Sequence, residues 1–297
     1  MNFSKLMLGT VQFGLNYGVA NTSGKPSYET ARDIINAAYE NGVNCLDTSA
    51  AYGDSEEVLG RALAELELGD KMHVITKVDN ISISKLSASE TEKYIRKSVE
   101  TSLKRLRLER IYICLIHKEF DIEYIGILRK LQQKGLIGET GISLDTDKYC
   151  KEVIAEGIKF VQLPYNIFDK RFDSFLPEAR KNGFKVFTRS AYLQGLLVMP
   201  EQNISPDLHV IIPVRRKLEK LAADAGMNMP ELCMRFVLSN PAVTSVLTGV
   251  DNVKQLKQNI QLLDKGSLPD NLYQEAKALV PILDEKIIRP ALWKKNS

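Results

Sequence analysis

One junction recurs along this chain of 297 residues, and it limits the folds that the chain can adopt. At each occurrence a helical pattern ends, a glycine follows, and an apolar segment begins within one to three residues. The four copies are Asn41-Gly42-Val43, Lys134-Gly135-Leu136, Glu156-Gly157-Ile158 and Asn182-Gly183-Phe184. Glycine readily takes the left-handed conformation that closes a helix. Repeated helix-to-strand turns of one kind predict strands that alternate with helices, and therefore a parallel sheet.

The alternation extends over eight apolar segments. The predicted strands are Lys5–Thr10, Asn44–Ser49, His73–Val78, Ile111–His117, Ile137–Ser143, Phe160–Tyr165, Lys185–Ala191 and Thr244–Val250. The predicted helices are Tyr28–Glu40, Glu56–Leu66, Ala88–Leu106, Ile122–Lys134, Lys148–Ala155, Leu176–Lys181, Val210–Ala225, Met229–Leu238, Val253–Leu263 and Asp270–Leu283. The strands carry few charges, as expected of strands buried on both faces. We therefore predict an α/β fold, a single-domain (β/α)8 TIM barrel over residues 1–297, a length normal for that fold.

An open, doubly wound sheet is the competing architecture. Its dinucleotide-binding form needs the glycine pattern G-x-G-x-x-G directly after the first strand. Residues 9–14 instead run Gly9-Thr10-Val11-Gln12-Phe13-Gly14, with too few glycines for that turn. The sequence therefore favours the barrel.

Ionisable side chains follow consecutive predicted strands. Asp47 ends the second strand, Lys77 the third and His117 the fourth. Tyr52 lies five residues beyond Asp47, in the loop that follows. Because the active site of a TIM barrel lies at the carboxyl ends of its strands, we expect these four side chains to share one rim. Each alone has an ordinary explanation as a turn, surface or packing residue, but their joint placement favours a catalytic set.

These residue types suit hydride transfer to a carbonyl group. The alkoxide that forms needs a positioned acid to give it a proton. Tyrosine has an ordinary pKa of about 10, and a neighbouring ammonium such as Lys77 lowers that pKa by favouring the phenolate. Asp47 supplies the counter-charge that a partly buried lysine needs. A neutral His117 can donate a hydrogen bond to the substrate oxygen as negative charge develops there.

Composition argues against several other kinds of partner. Lys and Arg outnumber Asp and Glu by 40 to 37, an excess spread along the chain, so we expect neither nucleic acid nor a membrane as partner. The four cysteines form no C-x-x-C pair and predict buried, reduced thiols rather than a disulfide framework or a metal site. No apolar stretch reaches the roughly 18 residues that span a bilayer. Residues 1–5 lack the layout of a signal peptide, so we expect a cytoplasmic location.

The segment Asp47-Thr48-Ser49-Ala50-Ala51-Tyr52-Gly53, followed by Lys77 and His117 at strand ends, resembles the aldo-keto reductase superfamily. That family has a catalytic Asp, Tyr, Lys and His in this chain order, on a TIM barrel that binds NAD(P)H without a Rossmann domain. Leu8-Gly9-Thr10 and Gly60-Arg61-Ala62-Leu63 also match, and the resemblance covers nearly the whole chain. It implies an oxidoreductase that uses NADP(H) or NAD(H) to interconvert an alcohol and a carbonyl (an aldehyde, ketone or sugar), with Tyr52 as proton donor or acceptor.

The resemblance also implies cofactor contacts. The residues that it assigns to the cofactor are Gly9, Thr10, Val11, Asp47, Ser143, Gln162, Arg189, Ser190, Gly249, Gln255 and Asn259. Ser143 and Gln162 match the pair that holds the nicotinamide carboxamide, while Leu144 stands where the family usually has Asn. Ser190 matches a pyrophosphate contact, and the helix that begins near residue 252 has an N-terminus suited to phosphate.

Two positions depart from the family pattern. Arg189 replaces the aromatic ring that stacks on nicotinamide, so we expect its guanidinium either to stack there or to bind an anionic group. Asp251 and Asn252 stand where many relatives have Lys or Arg for the 2′-phosphate of NADP(H), with Lys254 as a nearby cation that could compensate. Because a carboxylate repels that phosphate, the sequence predicts an enzyme that tolerates or prefers NAD(H).

The resemblance implies a small-molecule carbonyl or sugar-like substrate. The residues predicted to contact it are Gln12, Tyr52, His117, Lys118 and Tyr192. Lys118 and Arg189 could bind a phosphate or a carboxylate. Trp293, on the C-terminal tail, could line this pocket or simply anchor the tail by packing.

Two other functions stay open at this point. A TIM-barrel lyase would use Lys77 to form a Schiff base with a carbonyl substrate, but it leaves Ser190, Gln255 and Asn259 without a role. A cofactor-binding sensor with slow turnover would keep the fold and the cofactor, yet it would not need all four ionisable groups. Borohydride trapping would reveal the lyase, and steady-state turnover would separate an enzyme from a sensor.

Overall fold

Eight parallel strands close into a barrel in the computed structural model, which describes residues 2–18, 21, 24–81 and 86–293. Met1 and residues 294–297 of the predicted span 1–297 lie outside this described part. The strands are β1 (Leu6–Gly9), β2 (Cys45–Asp47), β3 (His73–Lys77), β4 (Ile111–Ile116), β5 (Ile137–Ser143), β6 (Phe160–Pro164), β7 (Lys185–Arg189) and β8 (Val243–Gly249). Each strand pairs with the next one, and β8 pairs with β1. The predicted (β/α)8 barrel is confirmed.

Helices connect the strands on the outside. They are α1 (Val11–Gly14), α2 (Tyr28–Glu40), α3 (Ser55–Glu65), α4 (Ala88–Leu106), α5 (Ile125–Gln133), α6 (Cys150–Ala155), α7 (Phe175–Lys181), α8 (Ile212–Asp224), α9 (Met229–Leu238), α10 (Val253–Asp264), α11 (Asp270–Leu279) and α12 (Glu285–Ile288). The predicted bounds of α2, α4 and α9 are confirmed. At the four predicted junctions, Gly42, Gly135, Gly157 and Gly183 all have φ between 64° and 80°, the left-handed turn that closes a helix.

Two predicted helices extend past a proline that limits the helix in the structure. The helix predicted as Val210–Ala225 begins two residues later, because Pro213 lacks an N–H group and is accommodated only in the first turn. The helix predicted as Asp270–Leu283 ends at residue 279. Pro281 disfavours helical backbone at the residue before it, and Val280 accordingly has an extended conformation (φ −97°, ψ 115°).

Alternate strand residues face the barrel interior. One buried cluster consists of Phe3, Met7, Cys45, Ile75, Ile113, Leu115, Phe160 and Phe187. Their strand neighbours, such as Leu8, Leu46 and Val74, belong to the larger cluster that packs against the helices. Because side chains alternate with a period of two, the residues two positions beyond Cys45, Ile75, Leu115, Phe160 and Phe187 face the same way, and all five are polar. Those positions are Asp47, Lys77, His117, Gln162 and Arg189.

Other predictions concern membranes, metals and thiols. No helix of the described residues is long and apolar enough to cross a membrane. Within the same residues, no group of three or more His, Cys, Asp or Glu is arranged to hold a metal ion. Cys45, Cys114, Cys150 and Cys233 are free and buried, and burial raises the pKa of Cys114 to about 12. A thiol in that environment stays protonated, which agrees with the predicted packing role.

Candidate active site

A buried ion pair lies at the carboxyl ends of β2 and β3. Lys77 Nζ is 2.7 Å from Asp47 Oδ1 and donates a second hydrogen bond, of 2.8 Å, to the Thr48 carbonyl. Gln162 Nε2, on β6, donates to the same Asp47 oxygen over 2.7 Å. The side chains of Lys77 and Asp47 are 1% and 4% exposed. Burial opposes the charge on Lys77, but attraction to Asp47 outweighs it and raises the pKa of Lys77, so this group is an ammonium.

The ring of Tyr52 lies close to both Lys77 and His117. Lys77 Nζ is 4.9 Å from the centroid of the Tyr52 ring, and the rings of Tyr52 and His117 meet edge to face with centroids 6.1 Å apart. Burial and the charge of Asp47 raise the pKa of Tyr52, whereas Lys77 lowers it, and the net direction is upward. The Lys77 ammonium thus lowers the pKa of Tyr52 as the sequence predicts, but loss of solvation outweighs it and sets the net direction. Tyr52 is a protonated donor at neutral pH.

Two glycines shape the loop that carries Tyr52. A Cβ atom on Gly14 would lie 1.8 Å from the Tyr52 carbonyl oxygen, so this loop packs directly on the backbone of α1. Gly53 has φ 56°, and a Cβ atom there would lie 2.5 Å from the Gly14 carbonyl oxygen. The Tyr52 carbonyl then accepts a hydrogen bond of 3.0 Å from the N–H of Ser55, the first residue of α3. Sequence reasoning missed the role of both glycines, although Gly53 directly follows the predicted catalytic tyrosine.

His117 follows β4 and contacts the Ser49 hydroxyl. Ser49 Oγ lies 3.3 Å from His117 Nδ1 and accepts a hydrogen bond of 3.2 Å from the Ala51 N–H. In the tautomer with the ring proton on Nε2, Ser49 donates to Nδ1 and His117 can donate from Nε2 to a ligand. Burial, followed by the charges of Lys77 and Lys118, lowers the pKa of His117 to about 3. At neutral pH His117 is thus an uncharged donor, as expected from the sequence.

Two adjoining cavities open beside this centre. The first, which we call the groove, has a volume of about 600 Å³ and contains most of the residues predicted to contact a cofactor: Gly9, Val11, Asp47, Gln162, Arg189, Ser190, Gly249, Gln255 and Asn259. The second, which we call the mouth, has a volume of about 1260 Å³ and is lined by residues that include His117, Lys118, Ser143, Asp145 and Trp293. Tyr52, Gln162, Arg189 and Ser190 line both cavities. The groove and the mouth therefore meet at the ionisable centre.

The remaining predicted contacts are distributed differently between the two cavities. Gln12 and Tyr192, predicted to contact substrate, line the groove and not the mouth. Ser143, predicted to contact the cofactor, lines the mouth. Thr10 belongs to the described lining of neither cavity. Its hydroxyl instead donates a hydrogen bond of 2.8 Å to the Asp47 carbonyl, so it helps to fix the backbone of the residue that binds Lys77.

A protein-family profile decides the relationship of this chain to known proteins. The profile of the aldo/keto reductase family matches residues 5–281. The chain belongs to the aldo/keto reductase family. The uncharacterized oxidoreductase YqkF of Bacillus subtilis is 29% identical over 273 residues, which cover 84% of this chain and 86% of that protein. L-galactose dehydrogenase of Arabidopsis thaliana is 29% identical over 278 residues, which cover 86% of this chain and 84% of that protein.

Solved structures share the fold of this aldo/keto reductase. The holo form of the aldo-keto reductase AKR11C1 from Bacillus halodurans superposes with a TM-score of 0.78 at 23% identity, covering 97% of this chain and 96% of that one. The glycerol dehydrogenase AKR11B4 from Gluconobacter oxydans gives a TM-score of 0.73 at 27% identity, with coverage of 93% and 91%. Family membership makes this chain an NAD(P)-dependent oxidoreductase and does not favour the Schiff-base lyase.

The groove suits the NAD(P)(H) cofactor that aldo/keto reductases use. Gln12 lies against Gly249, where an added Cβ atom would come within 2.2 Å of Gln12 Oε1. That oxygen and Asp251 Oδ1 are buried without a hydrogen-bond partner among the described residues. Buried polar atoms normally find partners, and ribose hydroxyls or a carboxamide could donate to these two. Tyr192 and Asn259 are joined by a hydrogen bond of 3.1 Å on the groove wall.

His117 gives the reductase a pH-dependent stability. Its pKa is about 3 in the folded chain against about 6.5 in an unfolded one, so between these values only the unfolded chain binds the proton. This contribution to stability is complete above about pH 6.5 and is lost as the pH falls toward 3. We expect the free energy of unfolding, from urea denaturation, to fall more steeply between about pH 7 and 4.5 in the wild type than in His117→Gln. Equal slopes in the two proteins would contradict the lowered pKa of His117.

Proposed function

We propose that this aldo/keto reductase interconverts a carbonyl and its alcohol with Tyr52 as proton donor and acceptor. The observation that supports this best is the convergence of three groups on one point. The Tyr52 ring lies 4.9 Å from the Lys77 ammonium and edge to face with the neutral His117, where the groove meets the mouth. A carbonyl at that point would have an acid, a hydrogen-bond donor and a stabilising charge within reach.

The reduced nicotinamide, when bound, supplies the hydride for the carbonyl carbon. The side chains of this enzyme handle the proton and the charge. Tyr52 gives its proton to the substrate oxygen, and the Lys77 ammonium stabilises the phenolate that is left. Asp47 and the Thr48 carbonyl fix the position of Lys77 through hydrogen bonds of 2.7 and 2.8 Å. His117 donates from Nε2 to the same oxygen while negative charge develops on it.

The state of Lys77 argues against a Schiff-base lyase. An amine must lose its proton to attack a carbonyl. Lys77 instead has a raised pKa, since the attraction of Asp47 outweighs burial, and its ammonium donates two hydrogen bonds. The group is thus suited to stabilise a phenolate and poorly suited to act as a nucleophile.

Cofactor binding and turnover test this proposal in sequence. NADH and NADPH are titrated into the protein while the quenching of fluorescence is followed, and then aldehydes, ketoses and sugar lactones are screened for cofactor oxidation or reduction. We expect binding and turnover with members of the panel. Tight cofactor binding without turnover on the whole panel would favour the sensor. A borohydride-trapped adduct on Lys77 would favour the lyase.

Asp251 supports a preference for NAD(H) over NADP(H). Gln255 Oε1 accepts a hydrogen bond of 2.8 Å from the Asp251 N–H, and Gln255 Nε2 donates to Asp251 Oδ2 over 3.4 Å, which leaves the buried Oδ1 without a partner in the described chain. Lys265 also lines the groove, where its Nζ lies 2.5 Å from Glu231 Oε2, a carboxylate that it shares with Arg235. Lys254 is exposed and is not in the described lining of the groove. A ribose hydroxyl could donate to Oδ1, whereas a 2′-phosphate would be repelled.

We therefore expect NADH to bind about tenfold more tightly than NADPH at low salt, since like charges a few ångströms apart repel by at least 1 kcal/mol. Asp251→Ser should reduce this ratio of dissociation constants about tenfold, measured by fluorescence titration. Asp264→Ser, which removes an exposed carboxylate at the end of α10, is the matched control and should leave the ratio unchanged. A wild type that binds NADPH about a hundredfold more tightly than NADH would contradict the preference.

A further inference from the structure

Positive charge predominates at the mouth beside the reaction centre. Its described lining contains two acidic residues, Asp145 and Asp207, and five basic ones: Lys118, Arg171, Arg189, Lys286 and Arg289. Arg171 and Arg289 each have a carboxylate of their own at 2.7 Å. Lys118 and Arg189 do not, because they share one.

That shared carboxylate is Asp145. Lys118 Nζ lies 3.5 Å from Asp145 Oδ2, while Arg189 Nη2 donates to Asp145 Oδ1 and, over 3.1 Å, to the Leu144 carbonyl. Burial opposes the charge on Asp145, but attraction to Arg189 and Lys118 outweighs it and lowers the pKa of Asp145. The carboxylate is thus ionised at neutral pH. Lys118 and Arg189 therefore share this carboxylate, and their side chains remain 35% and 26% exposed.

Asp145 is itself held in place from two sides. Its N–H donates to the buried carboxylate of Glu119, and its carbonyl accepts a hydrogen bond of 2.9 Å from Arg171 Nη1. The other oxygen of Glu119 accepts a hydrogen bond of 2.7 Å from the Thr146 hydroxyl. The residue that both cations contact is therefore held in place before any ligand arrives, which lowers the entropic cost of binding one.

The position of the two cations relates them to the substrate. Lys118 directly follows His117 and lines the mouth, and Arg189 lines both the mouth and the groove. We propose that the substrate carries an anionic group, a carboxylate or a phosphate monoester, which Lys118 and Arg189 bind while the carbonyl meets Tyr52 and His117. Guanidinium and ammonium groups bind such oxyanions through charge-assisted hydrogen bonds. This inference rests on the proposed redox function and names the class of its substrate.

Two matched pairs of substrates test the inference on the whole enzyme with its cofactor. Glyceraldehyde 3-phosphate is compared with glyceraldehyde, and glucuronate with glucose, so that one pair reports on phosphate and the other on carboxylate. We expect kcat/KM to be about tenfold or more higher for the charged member of at least one pair. Lys118→Met should reduce that ratio about tenfold, whereas Lys118→Arg, which keeps the charge, should retain it. Added salt should also reduce the ratio, because screening weakens partly exposed charges.

The outcomes separate this inference from the redox proposal. A charged-to-neutral ratio near one in both pairs, with measurable turnover, would overturn the anion site and leave the redox function standing. A preference that survives Lys118→Met unchanged would also overturn the assignment. Cofactor binding without turnover of any of the four compounds or of the wider panel would overturn both. Lys220→Met, which removes an exposed lysine of α8, controls for a general effect of lost charge.

Discussion

Tyr52→Phe should lower kcat for carbonyl reduction by about 10²- to 10⁴-fold, the usual contribution of a positioned acid or base. The ring and its contacts with Lys77 and His117 can remain, because only the hydroxyl is removed. The dissociation constant of the cofactor should stay nearly the same, so the loss would lie in the chemical step. Steady-state kinetics with a saturating cofactor, together with fluorescence titration of that cofactor, measures both quantities.

Tyr39→Phe is the control for this variant, because Tyr39 is exposed near the end of α2, away from the mouth and the groove. It should keep wild-type turnover. A Tyr52→Phe enzyme with full activity would show that another group supplies the proton. A variant that instead loses cofactor affinity while kcat is retained would show that the Tyr52 hydroxyl binds and does not catalyse.

Lys77→Met should reduce stability and turnover together. The substitution leaves the Asp47 carboxylate buried without its cation, and breaking a buried ion pair in this way costs about 3 to 5 kcal/mol. It also removes the charge that stabilises the Tyr52 phenolate, so we expect a loss of turnover comparable to that of Tyr52→Phe. Urea denaturation gives the change in the free energy of unfolding, and steady-state kinetics gives the change in turnover.

A double variant separates the two effects. Asp47→Asn together with Lys77→Met removes both charges, so much of the lost stability should return while turnover stays low. A Lys77→Met protein as stable as the wild type would contradict the buried ion pair. A double variant with restored turnover would contradict a direct role for the ammonium.

The strand pattern explains how much of the site could be predicted. Asp47, Lys77 and His117 each lie two residues beyond a buried inward-facing strand residue, so period-two alternation and the barrel fold together place them on one rim. The prolines at 213 and 281 are visible in the sequence and could have set two helix bounds correctly. The alternation and the prolines depend only on neighbours in the chain.

Other features depend on distant parts of the chain. Asp145 lies beside Arg189 and Lys118 only in the folded chain, because the three residues are far apart in the sequence. The direction of the Tyr52 pKa also needed the structure, since it is set by the balance between burial and the nearby ammonium. A sequence shows which charged groups are present. It does not show how far each group is removed from water, and that decides whether burial or a neighbouring charge dominates the pKa.

A structure of the enzyme with its cofactor and a slowly reacting carbonyl compound would test the central claim most directly. We expect the carbonyl oxygen within about 2.6 to 3.2 Å of both the Tyr52 hydroxyl and His117 Nε2, at the junction of the groove and the mouth. A carbonyl bound elsewhere in the barrel, with Tyr52 out of hydrogen-bond reach, would contradict the proposed reaction centre.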